Sequence, residues 1–263
     1  MKILKIIKKE RNKKPRGIVL DYETSPQLGW FWGKIWETNI IKVEQHTQII
    51  CGAWKEHGID KINFISQRDF KGYKPGVLDD YQLCEYFQNL INEFDYVVAQ
   101  NGDAFDIRVL NTRLAFHGIP QVSTTKSFDT MKMSRNNLYL PSNKLNDIAE
   151  FFGIGEKLST NKDLWFDCMA GDKKAWGLME KYNKQDVVLC DELYTKLLPY
   201  TKQFNTYIRM NNIDINCSNP DCLSGNLIKH KRNKVVNGWK MQYQCRDCGR
   251  YTTDTKIIKE GDK

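Results

Sequence analysis

Short apolar runs alternate with polar connections along the chain, and the spacing of the apolar positions predicts most of its elements. Gly17–Glu23 reads as a strand, with Ile18, Val19, Leu20 and Tyr22 apolar on both faces, the pattern of a strand buried within a sheet. Thr47–Lys55 and Lys61–Ser66 follow as strands across the turn-rich EHGID, and their closeness in sequence predicts an antiparallel meander. Leu78–Phe94 has helical spacing, with Leu83, Tyr86, Phe87, Leu90 and Ile91 on one side. Tyr96–Asn101 is a short buried strand that ends at Gly102. Asp106–His117 is a helix with the stripe Ile107, Leu110 and Leu114, stopped by Gly118. Lys144–Phe152 and Lys173–Leu198 are also helical, the second ended by Pro199. Strands first, then strands alternating with helices, predict an α/β domain with a mixed sheet. From Asn211 the character changes to turns and short strands around cysteine pairs. Asn226–Arg232 and Trp239–Gln244 predict a hairpin joined by NKVVNG. Three segments are expected: a basic tail over 1–16, the α/β body over 17–205 and a cysteine module over 212–258.

Acids interrupt this pattern where a core should lie. Strand side chains alternate, so Asp21 and Glu23 share one face of the first strand's end. Asp106 follows a buried strand in NGDAFD, where a helix N-cap is an equal reading. Asp186 falls on the apolar stripe of Met179, Tyr182, Leu189, Leu193 and Leu197, four residues after Tyr182. Asp191 and Glu192 are assigned to the solvated side of that helix. An inward carboxylate needs a cation or a strong donor, and one shared cation site would serve all four acids. Hard divalent cations prefer carboxylate oxygen. Two of them about 4 Å apart form a clamp for phosphoryl transfer.

In this order, D-x-E-T (Asp21–Thr24), N-x-x-x-F-D (Asn101–Asp106) and Y-x-x-x-D (Tyr182–Asp186) resemble the DEDD 3′→5′ exonuclease superfamily. The resemblance covers roughly residues 17–200 and implies a ribonuclease-H-like mixed sheet flanked by helices. It also implies that Asp21, Glu23, Asp106 and Asp186 hold two Mg²⁺ or Mn²⁺ ions. Lys181 stands where the histidine subtype has its general base, whereas Tyr182 matches the tyrosine subtype. With a pKa near 10, Tyr182 is expected to orient a water rather than take its proton. Thr24, Asn101 and Phe105, beside the ligands, are expected to contact the terminal nucleotide. SPQLGWFWGKIWETNI is similar to the stretch after the first motif in predicted bacteriophage exonucleases. Its Trp30, Phe31, Trp32 and Trp36 are expected mostly to close the core beneath a long connection, with base stacking as the alternative. Asp129 is read as a helix cap; His46, His57 and His117 have no evident catalytic partner.

The cysteines divide into two groups. Cys51, Cys84, Cys168 and Cys190 sit singly in apolar surroundings, as buried hydrophobes do. Cys217, Cys222, Cys245 and Cys248 have the spacing of a four-cysteine zinc ribbon, in which two loops each supply a ligand pair to one structural Zn²⁺. YQCRDCGRYT resembles the knuckle of zinc ribbons in transposases and related DNA-binding proteins. Four thiolates leave no place for His230 as a ligand. The module also carries Lys229, Lys231, Arg232, Lys234, Lys240, Arg246 and Arg250, of which Lys231, Arg232 and Arg246 are assigned to substrate.

Charge sharpens this picture. The 263 residues carry a net +8. Residues 1–16 hold eight Lys/Arg against one Glu, and residues 212–263 hold ten against six acids, so the body between them is mildly acidic. Basic ends suit a polyanion. The composition, 41% hydrophobic and 27% charged, is that of a folded chain. No apolar run approaches the roughly 18 residues of a membrane helix, and lysines interrupt any N-terminal signal, so a cytoplasmic protein (the host's cytoplasm for a viral one) is expected. The expected activity is a two-metal 3′→5′ exonuclease acting on DNA, with RNA as the other candidate substrate. The chain is too short to add a polymerase, so a replication or recombination partner would be separate. A ribonuclease or structure-specific endonuclease using the same site is the second reading. The third is a non-catalytic nucleic-acid-binding protein.

Overall fold

The computed structural model describes residues 15–33, 40–122, 126–201, 215–219, 222, 224–254 and 256–259. Residues 1–14 of the basic tail and Trp36 lie outside them. Arg16, counted with the tail, belongs to the body: its guanidinium forks onto Glu56 at 2.7 and 3.0 Å, and its N–H reaches Asp95.

β1 (Gly17–Thr24) is the organising strand of the body. A hairpin follows, β2 (Leu28–Phe31) with β3 (Ile40–Gln45), then β4 (Ile49–Glu56) and β5 (Asn63–Ser66). α1 (Tyr81–Ile91), β6 (Tyr96–Ala99), α2 (Asp106–His117), β7 (Lys126–Asp129), α3 (Thr130–Asn137), α4 (Leu145–Phe152), α5 (Asp163–Ala170) and α6 (Lys173–Leu197) complete it. The main sheet runs β5-β4-β1-β6-β7. β1 pairs antiparallel with β4 and β4 with β5, as the meander predicts, while β6 and β7 join in parallel. Parallel neighbours need a crossover, and α1 and α2 supply the two.

Period-two alternation on β1 divides the core. Ile18, Leu20 and Tyr22 point to one face, packing with Leu83, Phe87 and Ile91 of α1 and Leu110 and Leu114 of α2. Gly52 of β4 lies under this layer, where a Cβ would sit 2.6 Å from Phe87 and 2.8 Å from Tyr22. That spacing lets the Tyr22 and Phe87 rings meet edge to face at 4.5 Å. The opposite face holds Ile50 and Cys51 of β4, Leu164 and Cys168 of α5, and Trp176 and Met179 of α6. Asp21 and Glu23 therefore face the side where α5 and α6 pack.

Several elements differ from the expected ones. β7, α3 and α5 are too short for a clear period, and the β2–β3 hairpin occupies the stretch expected as a long connection. Trp30, Phe31 and Trp32 do not close the core: they are 64%, 51% and 81% exposed. Asp191 is not on a solvated face. It is buried, held by Lys55 Nζ at 2.6 Å and His57 Nδ1 at 2.5 Å, which also gives His57 its partner. His117 likewise meets Asp80 at 2.6 Å beside the Arg113 fork.

The chain divides into two compact units, Arg16–Tyr194 and a second built on Thr195–Lys263. In the second unit, β8 (Leu227–Val235), β9 (Gly238–Cys245) and β10 (Tyr251–Thr253) form a three-stranded sheet in the order β10-β9-β8. The hairpin turn is only residues 236–237, tighter than expected, and Gly238 opens β9 at a φ of +136°, where a Cβ would lie 2.3 Å from the carbonyl oxygen of Ile258.

Candidate active site

The alternation that buries Ile18, Leu20 and Tyr22 brings the two acids of β1 to α6. One oxygen each of Asp21, Glu23 and Asp186 lies within 4.8 Å of the others. α6 positions its members by helical period: Met179, Asn183 and Asp186 are 0%, 0% and 3% exposed along one face. Asn183 Nδ2 donates to Asp21 Oδ2 at 2.6 Å, and Trp165 Nε1 of α5 donates to Glu23 Oε2 at 3.0 Å. Lys157 Nζ lies 2.6 Å from Asp186 Oδ2 and 5.1 Å from the centre of the Tyr182 ring. Trp165 meets Tyr182 edge to face at 5.8 Å.

Asp106 stands slightly apart. It does not cap its own helix: its Oδ1 accepts the N–H of Tyr22 at 3.1 Å, reaching back to β1 between the two acids. Its charge still raises the pKa of Asp21. Asp129 caps α3 through Lys132 N–H at 3.1 Å, as expected, and also takes the N–H groups of Asn101 and Asp103. This bridge holds Asn101 at a φ of +60°, a rare left-handed conformation for a residue other than glycine, and so shapes the turn leading to Asp106. Phe105 is 40% exposed beside Asp106, and Thr24 ends β1 half-buried.

Like charges gathered out of water push one another towards protonation. Burial, then Glu23, Asp106 and Asp186, push the Asp21 carboxyl well above the usual carboxylate range. Burial raises Glu23 to about 8 against the pull of the Trp165 indole, and raises Asp106 to about 7. Asp186 is also raised by burial, with Lys157 opposing. The group fits a hard divalent cation: its donors are all oxygen, and Asp186 Oδ1 is buried without a hydrogen-bond partner. Asp80, Cys84 and His117 gather as closely, but there Arg113 supplies the positive charge and, with His117, holds Asp80 below its ordinary pKa despite burial. Asp21 and Glu23 instead accept from a neutral amide and a neutral indole.

A pH dependence follows. In the folded, metal-free chain, Glu23 and Asp106 keep protons that the unfolded chain gives up near pH 4 to 4.5, so the stability they confer at low pH is lost as pH rises through about 7 to 8. A cation must displace those protons. Mg²⁺ is therefore expected to raise the melting temperature more at about pH 8.5 than at about pH 6. Thermal scans with and without Mg²⁺ at the two values check this, and an equal gain at both would contradict a cation shared by these acids.

Three neighbours of the acids go beyond the expected set. Asn183 carries a legible signal, being three residues before Asp186 on the same stripe. Lys157 and Trp165 carry no such signal, because one lies in a connection and the other on a two-turn helix.

In the second unit, the four cysteine sulfurs also lie within 4.8 Å of one another. Cys217–Cys248 and Cys222–Cys245 Sγ separations are 3.3 and 3.7 Å. These exceed the roughly 2.05 Å of a disulfide and approach the ~3.8 Å edge of a tetrahedron with ~2.3 Å Zn–S bonds. Backbone N–H groups of Cys248 and Asp247 favour the Cys245 thiolate, lowering its pKa despite burial. Lys229, Lys231 and Arg232 line exposed β8. Arg250 does not belong to that open surface: its guanidinium donates to the carbonyls of Leu198 and Thr201.

A family model described as the RNase_H superfamily matches residues 36–198, beginning after the acids of β1. No curated protein matches the chain. Among solved structures, it is similar to the family B DNA polymerase of the hyperthermophilic archaeon Pyrobaculum calidifontis, with a TM-score of 0.53 and 15% identity over 86% of this chain. The match spans 32% of the polymerase, about a third of its length. At that identity the likeness concerns the fold, which is the mixed α/β sheet expected from the sequence. No helix among the described residues is long and apolar enough to cross a membrane.

Proposed function

The chain belongs to the RNase H superfamily, and on that premise we propose that it is a divalent-metal-dependent 3′→5′ exonuclease of the tyrosine DEDD type, of the bacteriophage kind, acting on DNA. The convergence of Asp21, Glu23 and Asp186 within 4.8 Å carries this assignment: a buried carboxylate cluster is costly without a cation, and the fold it sits in is a nuclease fold. Asp21, Glu23 and Asp186 would hold Mg²⁺ or Mn²⁺, with Asp106 completing the set. When bound, such ions neutralise phosphate charge and make water a better nucleophile at neutral pH.

The remaining work falls to the chain's own side chains. Asn183 and Trp165 fix the rotamers of Asp21 and Glu23, so the acids are preorganised. Burial and the charges of Asp186 and Glu23 push the Tyr182 hydroxyl up to about 12. It keeps its proton at neutral pH and aims a water by hydrogen bonding. Thr24, Asn101 and Phe105 receive the terminal nucleotide. In the second unit, Cys217, Cys222, Cys245 and Cys248 hold Zn²⁺, and Lys231, Arg232 and Arg246 contact the phosphates of the substrate. A separate polymerase of replication or recombination is the natural partner.

Digestion of 5′-labelled DNA with Mg²⁺ or Mn²⁺ tests the assignment. A ladder shortening one nucleotide at a time from the 3′ end is expected. Discrete internal products would replace it with the endonuclease reading, and a stronger response to RNA would change the substrate. No release from any of these substrates would leave a nucleic-acid-binding protein.

A further inference from the structure

The β2–β3 hairpin is inserted between β1 and β4, so it leaves the body at the end of β1 that bears Asp21 and Glu23, with Leu28 only five residues past Glu23. It pairs with no third strand among the described residues. A lone two-stranded ribbon is at best marginally stable in water, and one in a folded body ordinarily buries an apolar face. This one exposes Leu28, Trp30, Phe31, Trp32, Ile40 and Ile41, each by half or more. Register explains part of the arrangement. Trp30 stands opposite Lys42, and Glu44 lies two residues further along on the same face. The Glu44 carboxylate accepts from Trp30 Nε1 at 2.6 Å and from Lys42 Nζ at 2.8 Å. The indole is thus pinned by its edge, its ring face is left open, and the acid that pins it is neutralised by a lysine.

A protein partner would ask only for apolar area. Two tryptophans, one with its plane fixed beside an ammonium group, present π-faces of the kind that stack nucleobases without reading sequence. Their position settles the occupant: a strand whose end lies at Asp21 and Glu23 has neighbouring nucleotides to support, and the hairpin continues directly from those residues. We propose, resting on the nuclease assignment above, that Trp30 and Trp32, two residues apart and so on one side of the ribbon, form a stacking platform for the unpaired bases next to the 3′ end.

The test compares binding of a labelled oligothymidylate of about 20 nucleotides with binding of an abasic sugar–phosphate strand of equal length, by fluorescence anisotropy with no added Mg²⁺ or Mn²⁺. The unsubstituted chain is expected to prefer the base-bearing strand. A Trp30→Ala/Trp32→Ala variant should bind that strand about tenfold or more weakly and the abasic strand as before. Trp30→Phe/Trp32→Phe, which keeps a ring at both places, should retain most of the preference, separating stacking from damage to the hairpin. The proposal is overturned if the alanine variant keeps the preference for bases, or if it loses both strands alike. The two assignments also fail separately. Base-dependent binding without nucleotide release would remove the nuclease and leave the platform, whereas normal digestion without base dependence would remove the platform alone.

Discussion

Asp186→Asn is expected to lower nucleotide release by about a thousandfold or more, equivalent to roughly 4 kcal/mol of barrier, while the chain still folds. Asparagine preserves the shape of the side chain and the packing of α6, whose inward face carries Met179, Asn183 and Leu189 with no exposure. It removes the charge whose buried Oδ1 is unpartnered and whose Oδ2 meets Lys157. It also relieves Asp21 and Glu23 of a repulsion that both feel. The metal-free variant should therefore melt close to the parent protein, because that relief offsets the counter-ion lost to Lys157. Its melting temperature should no longer respond to Mg²⁺. Rates from the end-labelled digestion, read beside thermal scans, check both halves. Activity within tenfold of the parent would mean that the acids of β1 and α6 do not form the reaction centre.

The second large effect concerns the cysteine module. Among the described residues of the module, only Cys217, Ser218, Cys245 and Thr252 are buried, so its three strands enclose almost no apolar core. With so little apolar surface enclosed among the described residues, the module is expected to need a metal or disulfide staple. Apparent binding energies of roughly 10–16 kcal/mol for structural zinc are more than enough to hold it. One zinc per chain is expected by elemental analysis. Cys245→Ser should abolish it, with loss of amide protection across β8 and β9. The body should keep its own melting transition, since its core lies between the main sheet and α1, α2, α5 and α6. Undiminished protection in a zinc-free variant would show that the sheet needs no metal.

Much of this arrangement is written in local spacing. Alternation on β1 already puts Asp21 and Glu23 on one face, and the 3.6-residue period already puts Asp186 inward with Tyr182 one turn before it. The cysteine pairs announce their cluster by spacing alone. Such features depend on neighbours a few residues apart, and the backbone period carries them whatever the rest of the chain does.

Other features depend on residues that meet across the fold. Asp191 reads as solvated because its helix offers it no partner; Lys55 and His57 come from the end of β4 and the turn after it to bury it. Asp106 is an ordinary helix start until β1 presents the N–H of Tyr22. Lys157 and Trp165 reach the acids from segments with no periodic signal. Trp30, Phe31 and Trp32 read as core because apolar side chains usually are, but no packed surface among the described residues covers the hairpin, and they stay exposed. Residue order thus sets the longer strands and helices and the side of each that is acidic, since backbone periods act over a few residues. Which acids share a site, which charges are neutralised within the protein and which aromatic rings remain free emerge only on folding, because distances between segments far apart in the chain set those outcomes.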